Sequence, residues 1–331
     1  MNGDEISFSL GINMKNAPLY EDILEGPLDG QARWLITADN VKIRAAYWNF
    51  SNSNGTIFVF PGRNEYIEKY GRTCKKIQSI GYSSIVIDWR GQGLSERLVK
   101  NKLIGHVNLF QDYQKDVNAL VLFATKKRFP KPWFLFAHSM GGAIGLRAIN
   151  NGLPIQKVIF SAPMWDIKMH QSKLIDKVLH FYTKNTYPIY KLFKKENEFV
   201  PSTNTVPYLK TEEFEHNTLT NDEEYFCYLK NQILKYPALA LAGPSIKWLQ
   251  TALEECYKLQ QTAAPKVPCL TFYSLNDKIV NNTAIEKIMD SWREGRLVNI
   301  AHTQHEIFME NDNLLKKIFS DIKCFLKDEN M

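Results

Sequence analysis

The chain has 331 residues, 44% apolar and 23% charged, with a net charge of +6. That length buries a large core and the balance is that of an ordinary globular protein. With 41 basic residues against 35 acidic ones and no long basic run, nothing points to a nucleic-acid partner. Five scattered cysteines without a CxxC pair argue against a disulfide framework or a zinc site and for a reducing, cytoplasmic setting. No apolar run approaches the ~20 residues of a membrane span. The first 26 residues lack the basic start and apolar block of a secretory signal.

In chain order, ARWLIT (32–37) and KIRAAYWN (42–49) read as a hairpin around the polar turn at 38–40. GTIFVF (55–60) is a β-rich run that stops at Pro61 and Gly62, and a helical pattern follows over 65–81. SSIVIDW (83–89) ends in RGQGLSE. Apolar residues at helical spacing predict a long helix over about 106–127. WFLFAH (133–138) is a strand running into a helix from about Gly141, and KVIFSAP (157–163) is the next strand. For about a hundred residues the rhythm then breaks into helices and aromatics without a convincing strand. It resumes with CLTFYSL (269–275), a helix after Asn281, a strand RLVNIAH (296–302) and a last helix over 313–326. Alternating strands and amphipathic helices predict an α/β fold with a mostly parallel central sheet flanked by helices. Its core would comprise residues 1–163 and 264–331. Residues 164–263 would form a helical cap, inserted before the last two strands at the sheet edge where such folds bind ligands.

The chemistry centres on AHSMGG, residues 137–142. A strand-to-helix turn rich in small residues either cradles phosphate or exposes a nucleophile. The phosphate reading fails: RGQGLSE supplies Gly91 and Gly93, but the third position of a dinucleotide fingerprint falls on Glu96, and no GxxxxGK[ST] occurs. The pattern small-x-Ser-x-Gly fits a nucleophile at Ser139, with Ala137 in the place glycine usually takes. The plainer alternative is a serine capping the following helix.

A serine nucleophile needs a histidine base held by a carboxylate, in the order serine, acid, histidine. Asp277 follows the strand CLTFYSL, and His305 follows the last strand. Both belong to loops at the same sheet edge as Ser139. Asp88 would serve as the acid by strand position but precedes the serine. His302, at the strand end, and His138 are read as packing or hydrogen-bonded histidines, and no third ligand cluster supports a metal. The expected oxyanion donors are the Met140 amide and, from the loop after GTIFVF, the Arg63 amide, since Pro61 has no N–H.

The stretches FPGRNEYIEKY, DWRGQGLSER, FAHSMGG, ALAGPSIKWL, SLNDKIV and HTQHEIFME resemble the α/β-hydrolase superfamily, and within it the bacterial lysophospholipase and monoacylglycerol lipase-like group. The likeness runs from about residue 30 to the end. It implies an esterase or lipase with a helical cap over the site and leaves the substrate open among glycerides, lysophospholipids, other esters and small amides. The reading is a serine hydrolase of lipid-like esters, lysophospholipid or monoacylglycerol, working through an acyl-enzyme without a cofactor. The likeness carries Ser139 as nucleophile, Asp277 as acid, His305 as base, and the Arg63 and Met140 amides as the oxyanion hole. An amidase or aminopeptidase of the same fold is the runner-up, and would need a cap carboxylate for the substrate amine: Glu212, Glu213, Glu215, Glu223 and Glu224 are available. A silent binding protein is the third reading.

The insertion holds 15 aromatic residues between Met164 and Pro265. Trp165, Phe181, Tyr182, Phe226 and Trp248 are candidates to line an acyl pocket. Seven lysines fall within residues 167–195, among them Lys173, Lys177 and Lys184, and Leu174, Ile175, Val178, Leu179 and Tyr182 share one helical face. This stretch is read as a basic amphipathic surface for peripheral contact with the inner face of the membrane.

Overall fold

The computed structural model describes residues 15–170, 172–201, 203 and 205–328, apart from the side chains of Lys173, Leu174 and Lys177. Eight strands build one sheet: β1 Gln31–Ile36, β2 Lys42–Trp48, β3 Thr56–Phe60, β4 Ser83–Asp88, β5 Trp133–His138, β6 Lys157–Ser161, β7 Cys269–Tyr273 and β8 Gly295–Asn299. Their order is β1-β2-β4-β3-β5-β6-β7-β8. Only β2 runs against its neighbours. Strands β3, β4, β5 and β6 are buried at every position, which is why they read as unbroken apolar runs: helices cover both faces.

Register sets the geography. Phe60 pairs with Ala137, His138 with Ser161, Ser161 with Phe272, and Tyr273 with Asn299. The C-terminal ends of β3, β5, β7 and β8 therefore share one edge, and the loops that follow them converge there. Between β6 and β7 the described residues form helices, the longest being α1 Lys173–Leu192, α2 Glu223–Lys235 and α3 Ile246–Gln260.

Two sequence expectations shift. The helix expected from His106 is a single 3₁₀ turn at Phe110–Asp112 followed by a helix at Tyr113–Lys126. Residues 105 and 106 instead join the chain near α3: Gly105 N–H donates to Gly243 at 3.1 Å, Ser245 N–H to Gly105 at 2.9 Å, and His106 Nδ1 lies 2.8 Å from Ser245 Oγ. Within the expected helix the Phe110 amide also goes to a distant partner, Thr251 Oγ1 at 2.9 Å. The last strand ends at Asn299, so His302 is not at a strand end. It occupies an exposed turn at φ 59°, where its carbonyl accepts from Asn221 Nδ2.

Candidate active site

Ser139 stands between β5 and the helix Met140–Asn150 at φ 50°, ψ −120°, a strained conformation for a residue with a Cβ. Its side chain makes no capping bond to the helix, so the capping alternative does not describe it. The Ala137 methyl fits a position that usually needs glycine because Gly145 faces it. A Cβ on Gly145 would stand 3.4 Å from that methyl.

The Ser139 hydroxyl is 2.9 Å from His305 Nε2, and His305 Nδ1 is 2.7 Å from Asp277 Oδ2. The other Asp277 oxygen accepts the amides of Ile279 at 2.7 Å and Val280 at 3.1 Å. These bonds fix the carboxylate, which fixes the imidazole. Burial alone would lower the pKa of His305, but the charge and hydrogen bond of Asp277 outweigh it and hold the imidazole above its ordinary value. Burial likewise opposes ionisation of Asp277. His305 and the two amides overcome it and hold the carboxyl below the ordinary range. An imidazole so held can take a proton from the hydroxyl and return it.

The loop after β3 is clamped from several directions. Trp89 Nε1 donates to the Pro61 carbonyl at 2.9 Å, and Gln92 Nε2 to the carbonyls of Gly62 at 2.8 Å and Glu65 at 3.0 Å. The Gly62 amide donates to Glu65 Oε2, and Asn64 Oδ1 accepts from the Leu241 amide at 2.7 Å. The Arg63 and Met140 amides donate to no acceptor among the described residues.

Sequence reasoning missed a buried charged cluster behind the imidazole. Lys69 Nζ bonds Glu65 Oε1 at 2.5 Å and Glu306 Oε1 at 2.6 Å. His138 Nε2 lies 3.2 Å from Glu306, and its ring centroid is 4.8 Å from that of His305. Glu65, His138 and Glu306 offer three donor atoms within 4.8 Å of one another. The Lys69 ammonium already bridges both carboxylates, so this donor set does not fit a metal. Burial opposes ionisation of Glu306, but Lys69 and His138 keep it well below the usual carboxylate range. The signal in the sequence was the spacing of Glu65 and Lys69, which normally marks a solvent-exposed helical pair.

Ser139 and His305 open into a cavity of about 830 Å³ lined by Met164, Ile167, Leu179, Tyr182, Ile246 and Trp248, among others. Two of the five aromatic candidates are therefore on its wall, Tyr182 and Trp248, and three are not. Trp165 is wholly buried behind the serine turn. It packs edge-on against Phe160 and donates to the Gly142 carbonyl at 3.3 Å. Phe226 is buried against Phe214, within the insertion's own packing. Phe181 points outward, 70% exposed.

A mostly parallel eight-stranded sheet of this order, with a serine on the turn after β5 and a histidine in the loop after the last strand, defines a hydrolase of the α/β-hydrolase fold. The chain matches the family described as serine aminopeptidase, S33, over residues 51–312, and belongs to that family. It is similar to the probable lysophospholipase L2 of Haemophilus influenzae, 25% identical over 271 residues covering 80% of this chain and 81% of the relative. It is similar also to the monoglyceride lipase of Saccharomyces cerevisiae, 23% identical, covering 87% of this chain and 90% of the relative. Among solved structures, a soluble variant of the Saccharomyces cerevisiae monoglyceride lipase in complex with a substrate analog superposes with a TM-score of 0.67. That match has 21% identity and covers 89% of this chain and 94% of the other.

Proposed function

We propose that this chain hydrolyses the carboxylic ester of a single-chain lipid, a lysophospholipid or monoacylglycerol, through an acyl-enzyme on Ser139. The observation that carries the reading is the hydrogen-bonded series Asp277–His305–Ser139 opening into a largely apolar cavity. The names of the similar proteins, lysophospholipase and monoglyceride lipase, support the substrate class.

His305 Nε2 takes the Ser139 proton as Oγ attacks the ester carbonyl, and Asp277 stabilises the imidazolium. The Arg63 and Met140 amides take the negative charge that develops on the carbonyl oxygen. Collapse expels the glycerol oxygen, which receives the proton from His305. Water, deprotonated by the same nitrogen, then releases the fatty acid. Residues 164–263 act as the cap that supplies much of the apolar wall.

Hydrolysis of an aminoacyl amide is the competing reading, given the family's description. None of Glu212, Glu213, Glu215, Glu223 and Glu224 lines the cavity. Glu65 and Glu306 do, but both are bound to Lys69. A substrate ammonium finds no uncommitted carboxylate there, which favours the ester.

The helix α1 turns Leu179, Tyr182, Thr183, Thr186 and Tyr190 toward the cavity. Beside that face it exposes Val178, Phe181, Ile189 and Leu192 at 57%, 70%, 56% and 78%, followed by Phe193 at 66%. Lys184, Lys191, Lys194 and Lys195 are exposed alongside. No helix among the described residues is long and apolar enough to cross a membrane. We infer that this cationic, apolar face rests on anionic lipid at the inner face of the membrane, from a cytoplasmic protein, beside the cavity mouth. The side chains of Lys173 and Lys177, assigned to the same surface from sequence, lie outside the described residues.

The test is purified protein and its Ser139→Ala variant against acyl glycerols, lysophospholipids and aminoacyl amides. Ester turnover that disappears in the variant supports the proposal. Turnover of amides alone, or full activity in the variant, overturns it.

A further inference from the structure

Arg63 has a side chain that the mechanism above does not use. Arg63 lines the same cavity as Ser139. Of its five N–H bonds, one goes from Nη2 to the Ala242 carbonyl at 2.6 Å. Its Nε is buried with no acceptor among the described residues. The guanidinium carbon sits 5.3 Å from the centre of the Trp248 ring. No carboxylate lies within ion-pair distance of it among the described residues: Arg44 and Arg90, by contrast, each hold two. Glu65, two residues away, is committed to Lys69, Tyr70 and the Gly62 amide.

Arg63 is half-buried as a residue, and a guanidinium largely withdrawn from water without a counter-charge is costly. Among the described residues, one carbonyl and one ring offset that cost. Burial lowers the pKa of Arg63 to about 10, which still leaves it cationic at neutral pH. A site that keeps a cation in this state is electrostatically incomplete until an anion arrives.

We propose that Arg63 is the head-group anchor of the enzyme, its guanidinium taking the phosphate of a lysophospholipid whose ester carbonyl sits at the Arg63 and Met140 amides. This rests on the ester-hydrolase reading of the site and adds which of its two substrate classes is preferred and which side chain reads it. One residue then registers both ends of the polar part of the substrate: its backbone N–H at the carbonyl oxygen and its side chain at the phosphate. The glycerol bridge between ester and phosphate is of the same order as the reach of an arginine side chain from its own amide. A guanidinium also matches phosphate geometry with two parallel N–H donors, which an ammonium does not.

The anchor differs from the lysines of α1 in one measurable way. Exposed lysines are screened by salt over ~10 Å at 0.1 M, whereas a buried guanidinium is screened much less. A head-group preference set by Arg63 therefore persists at high salt.

The experiment compares 1-dodecanoylglycerol 3-phosphate with 1-dodecanoylglycerol, both below their aggregation concentrations, at 0.1 M and at 0.5 M salt, where the screening length falls to roughly half. The readout is the ratio of the two kcat/KM values in the wild-type, Arg63→Lys and Arg63→Met proteins. Any effect of substitution on the shared backbone position cancels in the ratio. The wild-type ratio should favour the phosphate at both salt concentrations. It should fall by about 10- to 100-fold in Arg63→Met, the loss of a charged hydrogen-bonded contact, and by less in Arg63→Lys. An unchanged ratio in Arg63→Met overturns the anchor. A wild-type preference that vanishes at 0.5 M salt also overturns it and returns the effect to the α1 lysines. Should Arg63→Met not fold, competitive inhibition of the wild-type protein by dodecyl phosphate against 1-O-dodecylglycerol decides: equal inhibition constants overturn the anchor, and a salt-resistant advantage for the phosphate supports it. Wild-type protein that hydrolyses the glyceride but shows no phosphate preference loses the anchor alone. Protein that hydrolyses neither ester loses the ester reading and the anchor with it.

Discussion

Gly141 and Phe60 meet so closely that a Cβ on the glycine would stand 2.0 Å from the Phe60 carbonyl oxygen. The helix after Ser139 thus begins against the end of β3, the strand whose loop carries Arg63. This approach brings the serine turn and the Arg63 loop into one site. Gly141→Ala has no flexible side chain to displace, only backbone, so helix and strand must part. It should cost more than about 3 kcal/mol of stability or leave a folded protein with activity reduced by about a hundredfold or more. Gly152→Ala is the control. Its φ is +88° but nothing lies within 4 Å of the added methyl, so it should cost about 1 kcal/mol and leave kcat unchanged. Thermal denaturation and initial rates on a soluble ester read both. Near-normal activity and stability in Gly141→Ala would show that the contact does not shape the site.

The His305–Asp277 pair predicts the pH profile. Catalysis needs the neutral imidazole, and Asp277 holds His305 above 6.5. The acid limb of kcat/KM should therefore have its midpoint above pH 6.5. Asp277→Asn should lower the rate by about 10⁴-fold through the wrong tautomer and move the residual limb to lower pH. Stability runs by a different rule. The raised His305 pKa contributes stability fully present below pH 6.5 and lost as pH rises through the folded value, where activity appears. The depressed Asp277 pKa contributes stability present above its unfolded value and lost as pH falls through the folded one. A limb that stays put in Asp277→Asn would remove Asp277 from the role.

Asp88, the other candidate acid by strand position, is occupied elsewhere. It is fully buried, accepts from Arg44 Nε at 2.7 Å and from the amides of Ile67 at 2.8 Å and Leu94 at 2.7 Å, and pairs across β2 and β4 with Arg44 itself. Arg44 also holds Glu68 through two bonds. Asp88→Asn should therefore cost stability, about 3–5 kcal/mol as for a broken buried ion pair, while the folded fraction keeps its kcat. Active-site titration with a fluorophosphonate separates folded fraction from turnover. A stable Asp88→Asn protein with collapsed kcat would reverse the two aspartates.

The sheet was readable because buried parallel strands leave apolar runs and the loops between them carry Gly, Pro and Asp. That Ser139, Asp277 and His305 meet was readable because each follows the C-terminal end of a strand, and parallel topology alone sends those ends to one edge. What could not be read depended on direction. Trp165, Phe181 and Phe226 have the composition of a lipid pocket, but composition does not say whether a ring faces the cavity, the core or solvent. The stretch at 106 kept helical spacing while Gly105 bonded Gly243 and Ser245 and the Phe110 amide bonded Thr251, partners more than a hundred residues away. Glu65 and Lys69 looked like a surface pair because the third member, Glu306, belongs to a loop more than two hundred residues downstream.

The exposed face of α1 predicts a lipid requirement that the cavity alone does not. Phe181, Leu192 and Phe193 are 70%, 78% and 66% exposed in a protein whose other large apolar side chains are mostly buried. Replacing all three by serine should weaken sedimentation with anionic vesicles at least tenfold and leave hydrolysis of a monomeric ester unchanged. Equal vesicle binding by the triple variant would remove the face from membrane contact.

The cavity sets the last expectation. Its wall includes Met164, Ile167, Leu179, Ile246, Leu249 and Trp248, an apolar surface for a chain of methylenes, while its charged lining residues Glu65, Lys69 and Glu306 are tied to one another. Each methylene moved from water into such a space gains ~0.8 kcal/mol, about a fourfold rise in kcat/KM per carbon until the space is full. An esterase of small soluble esters would instead peak at a few carbons. Measured on monoacylglycerols below their aggregation concentrations, efficiency should climb steeply with acyl length and then level off. Tyr182 and Trp248 line the cavity, so Trp248→Ala, which removes a ring from its wall, should move the plateau to longer chains. Trp165→Ala and Phe226→Ala, which vacate the core and the insertion's own packing, should lower stability by about 3–5 kcal/mol without moving the plateau. A flat or falling length profile in the wild-type protein would refute the acyl cavity. A plateau shifted by Phe226→Ala but not by Trp248→Ala would put the acyl chain somewhere other than beside the indole.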